Sequence, residues 1–160
     1  MSKRRGGARI KNLCCLVTAL AVVVSACGGM DAEPRDDYRR VLEERYVPLE
    51  QALNAAVQPC QTEDFPACRR HTARALEHTR MLLDALTDTE APQRLEDAHR
   101  QFTRGLSALA EVLEQTLPAI EARDDDEVAR LHIEQHIASV DVNNPLGTFN
   151  EELGTELRPH

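Results

Sequence analysis

The fold is decided by residues 95–113, which read LEDAHRQFTRGLSALAEVL. The large apolar residues of this stretch recur at spacings of three, four and seven: Leu95, Phe102, Leu106, Leu109 and Leu113. Such spacings place side chains on one face of an α-helix, and His99 shares that face. We therefore predict a long amphipathic helix that starts near Leu95 and reaches Ile120.

Two more helices are predicted upstream of this stretch. An apolar stripe over residues 38–56 indicates the first, and Pro48 kinks it or makes it restart, because proline lacks the amide that continues a helix. The second runs over about residues 66–86, with Asp64 or Glu63 near its N-cap. The short connections favour antiparallel packing.

Downstream, the acidic run at residues 124–127 marks the start of a fourth helix. Carboxylates are favourable there because the first amides of a helix are unpaired and the positive end of its dipole lies nearby. A calcium loop is the alternative, but such loops have acids at alternating positions and a glycine, which this run lacks. A break at residues 143–147 is followed by a short C-terminal amphipathic helix. Its apolar residues are Leu146, Phe149, Leu153 and Leu157.

The fold class that follows is all-α. No window shows the alternation of apolar and polar residues that is typical of a β-strand. Four helices with short connections predict a mostly antiparallel four-helix bundle, with the short C-terminal helix after it.

A different pattern occupies the N-terminus. Five basic residues and no acidic ones precede Asp31, and an apolar run lies at residues 13–24. At about 1.5 Å per residue, a helix of that length reaches about 18 Å, well short of the ~30 Å hydrocarbon core of a bilayer. The segment is therefore interpreted as an export signal rather than a permanent membrane span.

The end of this segment, Val24-Ser25-Ala26-Cys27, resembles the lipobox of bacterial lipoproteins. The resemblance implies that Cys27 becomes the first residue of the mature protein and carries fatty acyl chains such as palmitate. It also implies that the protein is held to the cell membrane by this lipid, on the extracytoplasmic face. An ordinary secretory signal cleaved after Ala26, with Cys27 a plain thiol, is the alternative.

Three parts follow from these patterns: a lipoprotein signal peptide at residues 1–26, a lipidated N-terminus and tether at 27–35, and a helical bundle domain at 36–158. The stretch from Pro92 to Leu109, with the acidic start of the next helix, is similar to small, helical, exported bacterial proteins of unknown function. That similarity favours the bundle and implies no catalytic residue.

The charge of the chain excludes some partners. The sequence has 19 basic and 27 acidic residues, and the five basic residues of the signal segment leave with it. The remainder has a net charge of about −13, whereas nucleic acids and anionic lipid headgroups both require a positive surface. We therefore expect no nucleic acid partner.

Two cysteines remain once the signal segment and the lipid site are set aside. Cys60 and Cys68 stand eight residues apart, across a turn with two prolines. Outside the cytoplasmic membrane such a pair is predicted to form a structural disulfide. The Cys-x-x-Cys spacing typical of redox catalysis is absent.

Histidines supply the one candidate metal site. His132 and His136 are one helical turn apart, a spacing at which two imidazoles can share a metal. Glu96 and His99 have the Glu-x-x-His form of ferritin-like carboxylate sites, although a second such motif is missing. A zinc or copper site formed by His132, His136, His99 and Glu96 is therefore the alternative to hydrogen-bonded or solvated histidines.

No catalytic motif accompanies these residues. The chain lacks a Gly-x-Ser-x-Gly elbow, a phosphate-binding glycine loop and a His-Glu-x-x-His motif. We therefore expect a non-enzymatic binding or display module without a cofactor, which recognises an envelope protein or a small ligand. A metal-binding bundle is the alternative. An apolar stripe that the core does not use would mark the partner surface.

Overall fold

The computed structural model describes residues 32–62 and 64–160, and within them every regular element is helical. The elements are α1 (Ala32–Gln61), α2 (Phe65–Thr87), a 3-10 turn (Gln93–Leu95), α3 (Glu96–Ala122), α4 (Asp125–Asn143) and α5 (Leu146–Leu153). The all-α prediction is confirmed. The predicted signal peptide, Cys27 and the tether up to residue 31 lie outside the described residues.

Helix α1 differs from its prediction at its start, and the structure excludes one of the two alternatives predicted at Pro48. Residues 32–35, predicted as the end of the tether, form its first turn, where Pro34 is tolerated because the amide it lacks has no helical partner. The helix also continues through Pro48 without restarting. Tyr46 and Leu49 on either side of that proline are fully buried, and their packing offsets the missing hydrogen bond.

Aspartates begin two of the helices. The Asp64 carboxylate accepts a hydrogen bond from the Ala67 amide at 3.1 Å, at the start of α2. The Asp124 carboxylate accepts one from the Glu127 amide at 3.1 Å, at the start of α4. These bonds satisfy amides that the first helical turn leaves unpaired. They confirm the cap predicted at the acidic run.

Consecutive helices pack as antiparallel neighbours, α1 on α2, α2 on α3 and α3 on α4. Gly105 sets the register of the last pair, because a methyl group added there would stand 2.8 Å from the backbone nitrogen of Val142. Only a residue without a side chain permits this approach. The described helices belong to one compact unit, Asp31–His160.

The main core lies inside α1, α2 and α3 and is closed by the end of α4 and by α5. Four aromatic rings form its centre: Phe102 meets Phe149 edge-on at 5.2 Å between centroids, Tyr38 lies 5.9 Å from Phe149, and Tyr46 lies 6.0 Å from Phe102. All four are fully buried. A unit with its own core of this kind has what independent folding requires.

The seam between α1 and α4 is filled at one end by the C-terminal segment, residues 154–160. The Tyr46 hydroxyl of α1 donates to the Arg158 carbonyl at 2.8 Å, and the Asn143 amide of α4 donates to the His160 carbonyl at 3.2 Å. The ring nitrogen Nε2 of His160 lies 3.0 Å from the Ser139 hydroxyl of α4. The segment therefore joins two helices that otherwise make few direct contacts.

The C-terminal segment itself is not helical. Gly154 takes a positive φ of 70° and ends α5. Leu157, which was predicted on the C-terminal helix, is instead buried from this segment. The Asn150 side chain holds it there by accepting from the Leu157 amide at 2.8 Å and donating to the Leu157 carbonyl at 2.9 Å.

No helix among the described residues combines the length and the apolar character needed to cross a bilayer.

Candidate functional site

His99 is used in the packing of α3 on α1. Its Nδ1 lies 3.0 Å from the Tyr38 hydroxyl, and the two rings pack at 5.7 Å between centroids. Partial burial lowers the pKa of His99, and the nearby Arg100 charge lowers it further. A neutral imidazole hydrogen-bonded to tyrosine fits this position.

The other predicted metal ligands lie elsewhere. Gly105 of α3 lies beside Val142 of α4, and the two helices are antiparallel. His99, six residues before Gly105, therefore lies beyond the C-terminal end of α4. Along the helix axis it is about 18 Å from His136. His132 is farther still, and Glu96 is exposed beside Arg100. The structure therefore does not bring His99 or Glu96 to the histidine pair. Among the described residues no group of three His, Cys, Asp or Glu side chains is placed to hold a metal ion.

The predicted disulfide is confirmed. Cys60 in the last turn of α1 is bonded to Cys68 in the first turns of α2, with 4.7 Å between their Cα atoms. Cys68 is buried. The bond therefore fixes the end of α1 against the start of α2, at the end of the bundle opposite the aromatic core.

A cavity of about 420 Å³ lies beside this disulfide. One wall comes from the α1–α2 connection and the other from the first half of α4. Its apolar lining is Pro59, Cys60, Phe65, Cys68, Ile120, Val128 and Ala129, and its polar lining is Gln61, Asp125 and His132. Gln61, Asp125 and Ala129 are exposed, so the cavity opens to solvent.

The cavity exists because α4 packs differently along its length. Ala138 and Val142, in its second half, belong to the main core. Leu131, in its first half, belongs to a small separate cluster with Val112 and Ala119 of α3. The first half of α4 is thus supported from α3, and the side that faces α1 and α2 is left unfilled.

Charges around the cavity are mainly acidic. Asp124, Asp125 and Asp126 follow one another at the start of α4. The opposing charge nearby is Arg123, whose guanidinium carbon lies 5.5 Å from the centroid of the Phe65 ring. Farther along the same edge, Arg69 is paired with Glu121 at 2.6 Å.

A second unused surface lies on the outside of α4. Ile133, Ile137 and Val140 have 65, 62 and 45 % of their surface exposed. At about 100° per residue they fall on the face opposite Leu131 and Val142, so α4 is apolar on both faces. We call these three side chains the outer face of α4.

Sequence reasoning did not single out this outer face or the cavity. The signal for the outer face was present, since its residues stand at i, i+4 and i+7. The predicted stripes used only one face for each helix. The cavity has no comparable signal, because its residues come from four helices.

Comparisons with protein-family models, with curated proteins and with solved structures gave no match to this chain. A functional proposal therefore depends on the chemistry of the residues described above.

Proposed function

We propose that this protein is a bacterial lipoprotein, anchored through acyl chains on Cys27 at the extracytoplasmic face of the cell membrane, and that its bundle is a non-enzymatic binding module for an envelope protein. The signal pattern at residues 1–27 supports the anchor. The Cys60–Cys68 disulfide supports the compartment, because such bonds persist in oxidising surroundings.

The outer face of α4 carries the binding proposal. Exposed aliphatic side chains at helical spacing, on an edge helix, are the usual docking site for the apolar face of a partner helix. Folding does not need them, because the opposite face of α4 already packs on α3. The sequence analysis expected an apolar stripe that the core does not use to mark the partner surface, and these three side chains are such a stripe.

Charge indicates what kind of helix docks there. Asp126 and Asp141 flank the outer face, while the Arg130 guanidinium is already paired with Glu127 and Glu134 on α4 itself. A partner with basic residues beside its apolar stripe complements this arrangement. A second copy would bring the same acids to the interface, so like charges would face each other. We therefore assign the surface to a basic amphipathic helix of an envelope protein.

The metal-binding alternative gains no support from the geometry. A zinc or copper site at His132 and His136 needs a third ligand, and the residues proposed for it lie near the other end of α3. Thermal unfolding of residues 31–160 with chelator and then with micromolar zinc or copper would show the same midpoint. A shift abolished by the double variant His132→Ala, His136→Ala would restore that alternative.

The anchor is tested by replacing the residue that carries it. Cys27→Ala is expected to move the protein from the membrane fraction into the soluble extracytoplasmic fraction with its helical circular dichroism intact, because two acyl chains are needed for stable attachment. Ser25→Thr, which keeps the cysteine, should leave the protein in the membrane. An unmodified Cys27 in the mass spectrum of the mature N-terminus would contradict the anchor.

The docking surface is tested with synthetic peptides. A Leu/Lys amphipathic peptide should bind residues 31–160 in calorimetry, and a Leu/Glu peptide with the same apolar pattern should not. Ile133→Ser with Ile137→Ser should remove the binding, whereas Val47→Ser with Val57→Ser, which changes exposed valines of α1, should keep it. Equal binding of both peptides, or concentration-dependent dimerisation of the chain lost in the isoleucine variant, would contradict the assignment.

A further inference from the structure

The cavity beside the disulfide is independent of the outer face of α4 and of the anchor. Its volume of about 420 Å³ falls at the lower end of the roughly 300–1,000 Å³ typical of sites for small molecules. Its walls are mainly apolar, with Phe65 and the disulfide-bonded Cys60 and Cys68 on one side and Ile120 and Val128 on the other. A small ligand with an apolar body fits such walls.

The polar groups of the cavity lie mostly on α4. Asp125 and His132 are seven residues apart, about 10 Å along the helix, and Gln61 faces them from the end of α1. Of these three side chains, Asp125 is the carboxylate. The described residues that line the cavity include no lysine or arginine.

The electrostatics favour a cation. A carboxylate attracts an organic ammonium group, and Asp125 supplies one in the cavity wall. The Phe65 ring already has the Arg123 guanidinium over it, so it contributes an apolar wall rather than a second site for the cation. The amides at the start of α4 would favour an anion, but Asp124 already accepts from the Glu127 amide and the neighbouring acids compensate the helix dipole.

We infer that this cavity binds a small amphiphilic amine, with the apolar body against the disulfide wall and the ammonium group near Asp125. The ligand class is an aryl- or alkyl-amine of modest size. Neither an anion nor a large polar molecule fits the same combination of walls and charge.

Three related probes separate the contributions of shape and charge. Residues 31–160 are titrated by amide NMR with 4-phenylbutylamine, 4-phenylbutanol and 4-phenylbutyrate. The amine should shift the amide signals of Val128, Ala129 and His132. It should bind about tenfold more tightly than the carboxylate, because Asp125 attracts the ammonium group and repels the carboxylate at an exposed site. The alcohol should lie between them. Equal affinity of amine and carboxylate would overturn the charge assignment.

Matched variants test the position. Asp125→Asn should weaken the amine about threefold and leave the alcohol within twofold, whereas Asp126→Asn makes the same charge change outside the cavity and should have no effect. Equal loss in both variants would show a general charge effect and overturn the site.

Filling the cavity provides a test that does not depend on charge. Ala129→Trp should abolish binding of both the amine and the alcohol, and Ala108→Trp, at an exposed position of α3, should retain it. Both variants should unfold at the temperature of the parent chain, within a few degrees. Binding that survives in a folded Ala129→Trp protein would overturn the cavity as the site. Because this unit lacks Cys27 and the probes are not helices, failure here would leave the anchor and the docking surface unaffected.

Discussion

The two ends of the seam between α1 and α4 are built in contrasting ways. At one end, Tyr46, Asn143 and Ser139 meet the C-terminal segment, and hydrogen bonds link both helices to it. At the other end, no segment enters the seam in the described part of the chain. A disulfide holds α1 to α2 there, and a cavity separates them from α4.

The contrast teaches how this bundle divides its tasks. Stability comes from the aromatic end, where large rings are fully buried and polar groups are paired. The disulfide end has smaller side chains and an apolar cluster of its own, so a covalent bond contributes order that packing does not. The cavity at that end is not needed for folding, and it is where we propose that a ligand binds.

The largest expected effect on stability comes from comparing one phenylalanine at each end. Phe102→Ala, in the centre of the aromatic end, should lower the free energy of unfolding by about 4 kcal/mol, because a fully buried ring leaves a cavity. Phe65→Ala, at the edge of the disulfide end, should cost about 1 kcal/mol, since its ring is partly exposed. Urea unfolding measures both. Equal losses would mean that the two ends contribute alike.

The disulfide has the next largest effect. Cys60→Ser with Cys68→Ser should lower the free energy of unfolding by about 2–3 kcal/mol, because the bond restricts a short loop of the unfolded chain. The helical circular dichroism should remain. Two free thiols titrated in unfolded, unreduced protein would show that the bond does not form in the cell.

Protonation of His160 should weaken the aromatic end, where the C-terminal segment fills the seam. Burial lowers the pKa of His160 to about 4, well below its ordinary value near 6.5. The unfolded chain therefore takes up a proton at higher pH than the folded chain, so the stability is complete above pH 6.5 and is lost as the pH falls from about 6.5 to 4. Because the ring is partly exposed, the loss should be about 1–2 kcal/mol.

Urea unfolding of the parent chain and of His160→Gln measures this loss. The groups that face His160 are Tyr46, Ser139 and Asn143, and none of them titrates in this range. His99 has a lowered pKa as well and adds a smaller slope of the same sign in both proteins. If the free energy of unfolding of His160→Gln falls with pH as steeply as that of the parent chain, another group takes up the proton.

The smallest effect is expected on the outer face of α4. Ile137→Ser should change the free energy of unfolding by less than about 0.5 kcal/mol, because the side chain is mostly exposed already. Val142→Ser, on the buried face of the same helix, is the matched comparison and should cost several times more. A large loss at Ile137 would mean that this residue packs within the fold.

Local signals predicted most of the helices. The spacing of Leu95, Phe102 and Leu106 placed α3, and Asp64 and Asp124 cap the helices where the sequence put them. These features depend on a few neighbouring residues, which a sequence displays directly. Pro48 shows the limit of such signals, since its local cost is visible in the sequence. The burial of its neighbours, with which the helix continues instead of restarting, depends on distant helices.

The two proposed binding surfaces depend on how the helices are arranged. Gly105 fixes the register that separates His99 from His136, and no spacing within α3 or α4 reveals it. The C-terminal segment closes the seam through the Asn143 and Asn150 side chains, which follow no periodic pattern. The cavity is the space left unfilled by this register and by the C-terminal segment, so only the three-dimensional structure reveals it.

The close approach at Gly105 also determines how α4 opens. The backbones of α3 and α4 touch near Val142, whereas the first half of α4 rests on a few aliphatic side chains. Local unfolding therefore costs least near Asp125 and increases toward Val142. Amide hydrogens in the first half of α4 should exchange with solvent faster than those in the second. The wall of the cavity is thus the part of the bundle that detaches without opening the aromatic core.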